Sequence, residues 1–339
     1  MDSIPNPGKL RISTITAIGD YCLPLKLEKL ATTLAESIDT ANSSIMTVKY
    51  RRGSNKKPKD STSSDVLWPN EDWNLIYHKS KLNGSKKITS TFFNQITTEI
   101  ILDSQDTKKK KLKTVNMKIF TNGKLQITGI RNTDLNDAKF ASNIIYNIIK
   151  NNPSIVESDN VVDKQEDLIE SIKYDNFYIA LINSDYDAGF KIIREPLSDI
   201  LNSKGIFTTY EPTIYPGVKS RVYINEINEE IDGLCHCIEN GRKTVCPQKG
   251  GNGNGVGECH SVTISIFQSG KIIITGGITV SQIDKCYKFI NKILSDNFSK
   301  IRRKPIIELP QPENKINIPK NLISKTNKLP NIKKLIISS

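Results

Sequence analysis

The sequence predicts an α+β fold assembled from two copies of one strand-rich unit. Three observations carry that prediction: a motif that occurs twice, flanks that repeat with it, and helical periodicity after each copy. Residues Phe120 to Gly129 read FTNGKLQITG, and Phe267 to Gly276 read FQSGKIIITG, 147 residues further on. Both hold Phe, Gly-Lys, an apolar position, an Ile and a closing Thr-Gly. A period of that length is too long for a solenoid and fits duplication of a larger unit.

Each element follows from its local pattern. Before the first copy, Val115, Met117 and Ile119 alternate with Asn116, Lys118 and Phe120; before the second, Val262, Ile264 and Ile266 alternate with Thr263, Ser265 and Phe267. Period two is that of a half-buried strand. Asn122-Gly123 and Ser269-Gly270 supply residues that tolerate positive φ, as a tight hairpin turn requires. A helix follows each hairpin: Ala138, Ala141, Ile145 and Ile148 share one face, as do Ile283, Cys286, Ile290 and Ile293. By the same parity, Phe120 and Phe267 stand on the polar side of their strands, beside Gln126 and Thr128 or Ile273 and Thr275. A large aromatic on the face that should meet water asks for a partner. An end-of-strand aromatic under a loop is the plain alternative, and matched positions in a repeat favour the functional one.

The 339 residues carry 48 Lys+Arg against 36 Asp+Glu, a net charge of +12, and are 37% hydrophobic. Such a chain buries a real core, and its charge suits a polyanionic partner. The Lys, Asn and Ile bias is that of AT-rich coding, which discounts the charge. No apolar run is long enough to span a bilayer, and Met1 to Gly8 lacks the pattern of a secretory signal. Six cysteines without a signal predict reduced thiols in an intracellular compartment.

These residues resemble the core of the TATA-box-binding protein family: two repeats of strand, helix, four strands and a long helix. The family's IF-x-SGK-x-x-x-TG hairpin is matched by Ile119 to Gly129 and by Ile266 to Gly276. Phe207 to Val218 (FTTYEPTIYPGV) resembles the family's FSSYEPELFPGL segment, with Arg221 at a basic position. Leu25 to Ala31 resembles the start of the short helix, and Phe93 to Ile100 the strand after it. The match spans roughly half of the chain. The resemblance implies a saddle, a curved antiparallel sheet with helices on the convex side, that binds the minor groove of AT-rich promoter DNA. Two aromatic pairs, Phe93 with Phe120 and Tyr215 with Phe267, would wedge into base steps and bend the duplex. Thr14, Gln126, Thr128, Ile273 and Thr275 would face base edges, and Lys124, Lys271 and Arg221 would meet phosphate. It further implies a B-type initiation factor docking near Glu211, recruitment of RNA polymerase machinery, and a monomer on DNA. The Lys/Asn/Ile bias and the divergence resemble copies carried by large DNA viruses, which implies work in a nucleus or a cytoplasmic viral factory, with packaging in the virion open.

The sequence departs from the family in several places. Thr14 stands where the family has its first central asparagine, and Leu181 or Ser184 where it has the second. Gln126 replaces a small apolar residue, Glu99 a basic one, and Tyr215 a phenylalanine.

The organisation expected is a first repeat over 1–150 with an insertion at about 45–91, a linker at 151–172, a second repeat over 173–300, and a disordered basic tail from 301. Ser44 to Tyr50 could itself be a strand. Trp68 and Trp73 would pack locally in a mobile excursion, and Lys108 to Lys111 would lie in the loop that the family calls a stirrup. The second stirrup, at about 226–260, holds Cys235, His236, Cys237, Cys246, Cys259 and His260. Four cysteines suit a structural zinc in a tetrahedral array of Cys235, Cys237, Cys246 and Cys259; reduced thiols and a disulfide are the other readings. Gly250 to Gly257 runs into a strand rather than opening a helix, which rejects a dinucleotide fingerprint. No cofactor is required and no catalytic constellation is evident: His78 alone lies outside the cysteine cluster, without a nucleophile beside it. A non-enzymatic initiation factor is therefore expected. The alternatives are an adaptor of the same fold acting by protein contacts, or an accessory domain of a DNA- or RNA-processing enzyme.

Overall fold

Apolar residues at every second position need one covered face, and in the computed structural model they find it in a single antiparallel sheet backed by helices. The structure describes residues 3–38, 40, 43–51, 76–80, 95–102, 113–157, 169–172, 174–226, 231–239, 242–244 and 258–304, with backbone alone at 51, 76–80, 238–239 and 242–244. Along the first part run β1 (Arg11–Asp20), α1 (Leu27–Ser37), β2 (Ile45–Arg51), β3 (Ile76–Ser80), β4 (Gln95–Ile101), β5 (Thr114–Phe120), β6 (Lys124–Ile130) and α2 (Asn136–Asn151). The second part runs β7 (Phe177–Asp187), α3 (Arg194–Ser203), β8 (Phe207–Thr209), β9 (Gly217–Asn225), a small hairpin of β10 (Cys237–Glu239) and β11 (Arg242–Thr244), then β12 (Cys259–Phe267), β13 (Lys271–Gly277), α4 (Val280–Asp296) and α5 (Phe298–Ile301). The large sheet has the order β3-β2-β4-β5-β6-β1-β7-β13-β12-β9-β8. Outward from the β1–β7 contact, β6 answers β13, β5 answers β12, β4 answers β9 and β2 answers β8. The fold class is α+β, with a large open antiparallel sheet and few helices.

The helix-backed face is almost wholly aliphatic. Ile96 and Ile100, Val115, Met117 and Ile119, Leu125 and Ile127 fill it in one part; Val218 and Val222, Val262, Ile264 and Ile266, Ile272 and Ile274 fill it in the other. Helix α2 covers β5 and β6 with Ala138, Ala141, Ile145 and Ile149, while α4 covers β13, β7 and β9 with Ile283, Cys286 and Ile290. On α2 it is Ile149, rather than the expected Ile148, that is fully buried; Ile148 packs at the margin. Two buried polar ties fasten strand to helix. The Tyr21 hydroxyl donates to the carbonyl of Ser142 at 2.9 Å, and that of Tyr186 to Oδ1 of Asn291 at 2.9 Å. Burial pushes both phenol pKa values up, which keeps them neutral donors.

The closing Thr-Gly of each motif is a bulge. The β1–β6 register skips Gly129 between Thr128 and Ile130, and the β7–β13 register skips Gly276 between Thr275 and Gly277. Both glycines take positive φ, 94° and 104°. One extra residue in the strand resets its parity, so Thr128 stays on the open side while Ile130 returns to the core. Glycine is the residue that adopts this backbone without a Cβ penalty.

Three expected boundaries move. The window expected as an insertion opens with β2, because Ile45, Met46 and Val48 are buried and the strand pairs with β4; of the two readings of Ser44 to Tyr50, strand is correct. The linker packs against the first part: Ile155 and Val156 are buried, and Val156 bridges to Leu25. The tail does not start at residue 301, since Ile301 is buried and Arg302 pairs with Ile192. Trp68, Trp73, Lys108 to Lys111, Gly250 to Gly257 and positions 305–339 lie outside the described residues, as does the side chain of His78.

The hairpin glycines Gly123 and Gly270 have φ of 82° and 91°, and a Cβ there would press into the carbonyl oxygens of Leu23 and Phe190. We expect Gly123→Ala and Gly270→Ala each to destabilise the chain by about 1–3 kcal/mol, read as a lower denaturant midpoint at constant slope.

Candidate functional site

The face away from the helices is built of side chains that the alternation sends outward. At its centre two rows cross the β1–β7 contact. Thr128, Thr16 and Leu181 lie side by side on β6, β1 and β7; Thr14, Asn183 and Thr275 lie side by side on β1, β7 and β13. Thr14 accepts a hydrogen bond from the Gly129 amide at 3.0 Å, and the Thr275 hydroxyl donates to Oδ1 of Asn183. Of the two positions weighed for the second asparagine, Leu181 is on this face. Ser184 is not: it is buried, with its hydroxyl donating to the carbonyl of Ile274 at 3.0 Å. Asn183 went unnoticed in the sequence, although the parity of β7 puts it two residues beyond Leu181 on the same side.

The next rows outward differ between the halves. One holds Gln126, Ile18 and Tyr178; the other holds Ile273, Asp185 and Arg11. A carboxylate thus stands where the first half has an aliphatic. It is held by Ser13 Oγ at 2.7 Å and by Arg11 Nη2 at 2.8 and 3.0 Å from its two oxygens. The Ser13 hydrogen bond, then Arg11, keep its pKa below the usual carboxylate value. Asp187 is likewise lowered, by the Gly189 amide and by Lys271 at 3.1 Å.

Aromatics edge the face at its second end. The rings of Tyr215 and Phe267 meet at 5.7 Å between centroids, tilted by 59°. Both lie over Gly217, where a Cβ would come within 3.0 Å of Tyr215 and 3.1 Å of Phe267. Tyr215 reaches this place through a turn in which its amide donates to the carbonyl of Glu211 at 2.9 Å. Arg194, the first residue of α3, then locks the turn. It donates to the carbonyl of Pro216 and to Oε1 of Gln268 at 3.0 Å, and lies 5.2 Å above the ring of Tyr210. Arg194 was invisible in the sequence, because its partners are 22 and 74 residues away. Two large apolar side chains of this region, Phe207 and Ile214, are 62% and 83% exposed. Arg221 sits over Phe207 at 5.6 Å.

In the first half, Phe120 stands half-buried at the end of β5 opposite Gln95. Phe93 lies outside the described residues. Lys124 and Lys271 are exposed at matched hairpin positions. Glu99 is on the open side of β4 opposite Asn116. Glu211 is exposed and accepts from the Thr213 hydroxyl at 2.7 Å. Of the four expected metal ligands, Cys235, Cys237 and Cys259 come together, with sulfurs within 4.8 Å of one another, an arrangement that can hold a metal ion; Cys246 lies outside the described residues.

A curated protein of Acanthamoeba polyphaga mimivirus described as TATA-box-binding protein-like is 28% identical over 310 residues, covering 89% of this chain and 69% of its own. The chain is a divergent relative of that TATA-box-binding protein-like protein. No family model matches it. A solved structure of Methanococcus jannaschii TBP aligns with 85% of this chain and 99% of its own, at 14% identity and a TM-score of 0.40. As in the sequence, no helix of the described residues is long and apolar enough to cross a membrane.

Asp185 ties β1 to β7 only while ionised. Its folded pKa lies below the unfolded one, so its contribution is complete above the unfolded value and is lost as pH falls through the folded value. The stability gap between the natural chain and Asp185→Asn should be full at neutral pH and should shrink progressively as acidification protonates the carboxylate, as read by urea unfolding across pH.

Proposed function

We propose that this chain is a transcription initiation factor of the TATA-box-binding type, without catalytic activity, that binds AT-rich duplex DNA in the minor groove and kinks it. The observation that carries the proposal is the Tyr215–Phe267 pair, held over Gly217 at the edge of a face of threonine, leucine and amide side chains. The minor groove offers little beyond A·T against G·C, so short uncharged groups such as Thr14, Thr16, Thr128, Asn183 and Thr275 suffice there, with Gln126 and Ile273 outside them. The aromatic wedge would unstack one base step, at about a few kcal/mol, offset by the surface the bend brings into contact. Phe120, with Phe93, would serve the other end of a saddle made of two repeats, 1–150 and 173–300. Lys124, Lys271 and Arg221 would position the backbone without reading sequence. A B-type initiation factor would dock about Glu211 and bring in polymerase, with the factor acting as a monomer on DNA. The place of work would be a nucleus or a viral factory. Nothing in this mechanism requires a cofactor.

A second reading, an adaptor with relaxed or lost DNA binding, is favoured by one observation. Asp185 and Asp187 put carboxylates on the open side, and the ion pairs they form occupy Arg11 and Lys271, cations that phosphate would otherwise engage.

Energy transfer across an end-labelled AT-rich duplex separates the two. The first reading expects a bend that disappears in the Tyr215→Ala, Phe267→Ala double variant, while weak salt-sensitive binding survives. Binding without bending by the natural chain refutes the wedge, and no binding at low salt leaves the adaptor.

A further inference from the structure

The loop between β9 and β12 leaves the sheet at Glu226 and returns at Cys259, and its described part is folded back on that same end of the sheet. Asn225, buried, donates to the carbonyl of His236 at 3.0 Å, and the Tyr223 amide donates to the carbonyl of Gly233 at 3.2 Å. An Asp232 turn, with the Leu234 amide at 2.9 Å and His236 Nε2 at 2.7 Å, shapes the approach. Gly233, at φ of 86°, lies against Phe289 of α4, where a Cβ would come within 2.8 Å of the ring. The effect is to hang Cys235 and Cys237 directly over Cys259. Their sulfurs are 3.3 Å apart, and all three sulfurs lie within 4.8 Å of one another.

We propose that Cys235, Cys237 and Cys259 bind one zinc ion, a structural site that clips this loop to the end of the sheet. Zinc–thiolate bonds of about 2.3 Å in a tetrahedron set neighbouring sulfurs about 3.8 Å apart, which the observed spacings bracket. The three thiols are of graded burial, Cys259 fully enclosed and the other two half-buried, which leaves a side open for a metal to enter. The backbone amide of His236 points at the Cys259 sulfur at 3.1 Å, a hydrogen bond that suits a sulfur carrying negative charge. None of the three is in a disulfide. Soft thiolates select zinc over the hard cations of the cell. Binding replaces the S–H proton of each thiol with a bond to zinc and releases those protons to solvent.

The histidines beside the cluster do other work. His260 alternates to the opposite face of β12, where Nε2 meets the carbonyl of Gly276 at 2.6 Å, and His236 is held to Asp232 by Nε2. Among the described residues no further Cys, His, Asp or Glu atom joins the three sulfurs, so they form the site's base and the fourth position belongs to solvent or to one more ligand.

The test uses the full chain, purified reduced and stripped of metal, titrated with Co2+ and then Zn2+. The expected result is one Co2+ per chain, with a sulfur-to-cobalt charge-transfer band that Zn2+ abolishes. The band should be lost in Cys259→Ser and in the Cys235→Ser, Cys237→Ser double variant, and kept in Cys22→Ser, whose thiol is exposed elsewhere. Its intensity counts the thiolates, three or four. Circular dichroism of each variant separates loss of the site from loss of the fold. A reduced, folded natural chain that takes up no Co2+ overturns the proposal, as does a band unchanged in the folded double variant.

Discussion

The antiparallel contact of β1 with β7 is the constraint on which the remaining architecture rests. Neither half of the sheet closes on itself, and pairing the first strand of each half makes one continuous face. That pairing places Thr16 against Leu181 and Thr14 against Asn183. It also joins the aliphatic layers, since Ile15 meets Ile182 on the opposite side. Arg11, Ser13 and Asp185 fasten one end of the contact, and the smaller residues Gly19 and Ala17 let the other end close on Phe177 and Ile179. Every strand outside the contact inherits its parity from it.

That inheritance explains why the two faces are so unlike. The helix side of the strands is filled mainly by isoleucine and valine, whose burial is favoured by about 25 cal/mol per Å² of apolar surface removed from water. The other side gains nothing from burial and is free to carry threonine, amide, lysine and aromatic residues. The aromatic pair at the second end is not a by-product of this sorting. Tyr215 enters from a turn outside the strands, and three separate features hold it: Gly217 beneath, Glu211 behind and Arg194 across the turn.

Local periodicity made the hairpins, the long helices and the direction of Phe120 and Phe267 legible before any coordinates. Their information lies within ten residues or so, where side-chain alternation is a direct consequence of backbone geometry. The choice between Leu181 and Ser184 was not legible, because the β1–β7 register shifts between Thr16 and Ala17 and counting by twos fails across a bulge. Arg194 and the fold-back that gathers Cys235, Cys237 and Cys259 depend on contacts between distant segments, which no window of sequence contains. Strand β2 was half legible: Ile45, Met46 and Val48 are apolar enough for a strand, but the pairing partner that decides it, β4, begins only at Gln95. The carboxylate at Asp185 passed unnoticed for a related reason, since its neutralising arginine is 174 residues away.

An open sheet also has two margins, and here they are β3 and β8. Unpaired backbone amides and carbonyls at a margin invite other chains to add strands, which is how sheets polymerise. On the β8 side the invitation is brief. The strand is three residues long, Phe207–Thr209, and the chain then enters the turn carrying Pro212 and Pro216. A newcomer would find a short template next to residues that cannot donate. The exposed ring of Phe207 can therefore stay at the rim of the sheet, beside a template too short to nucleate a fibre.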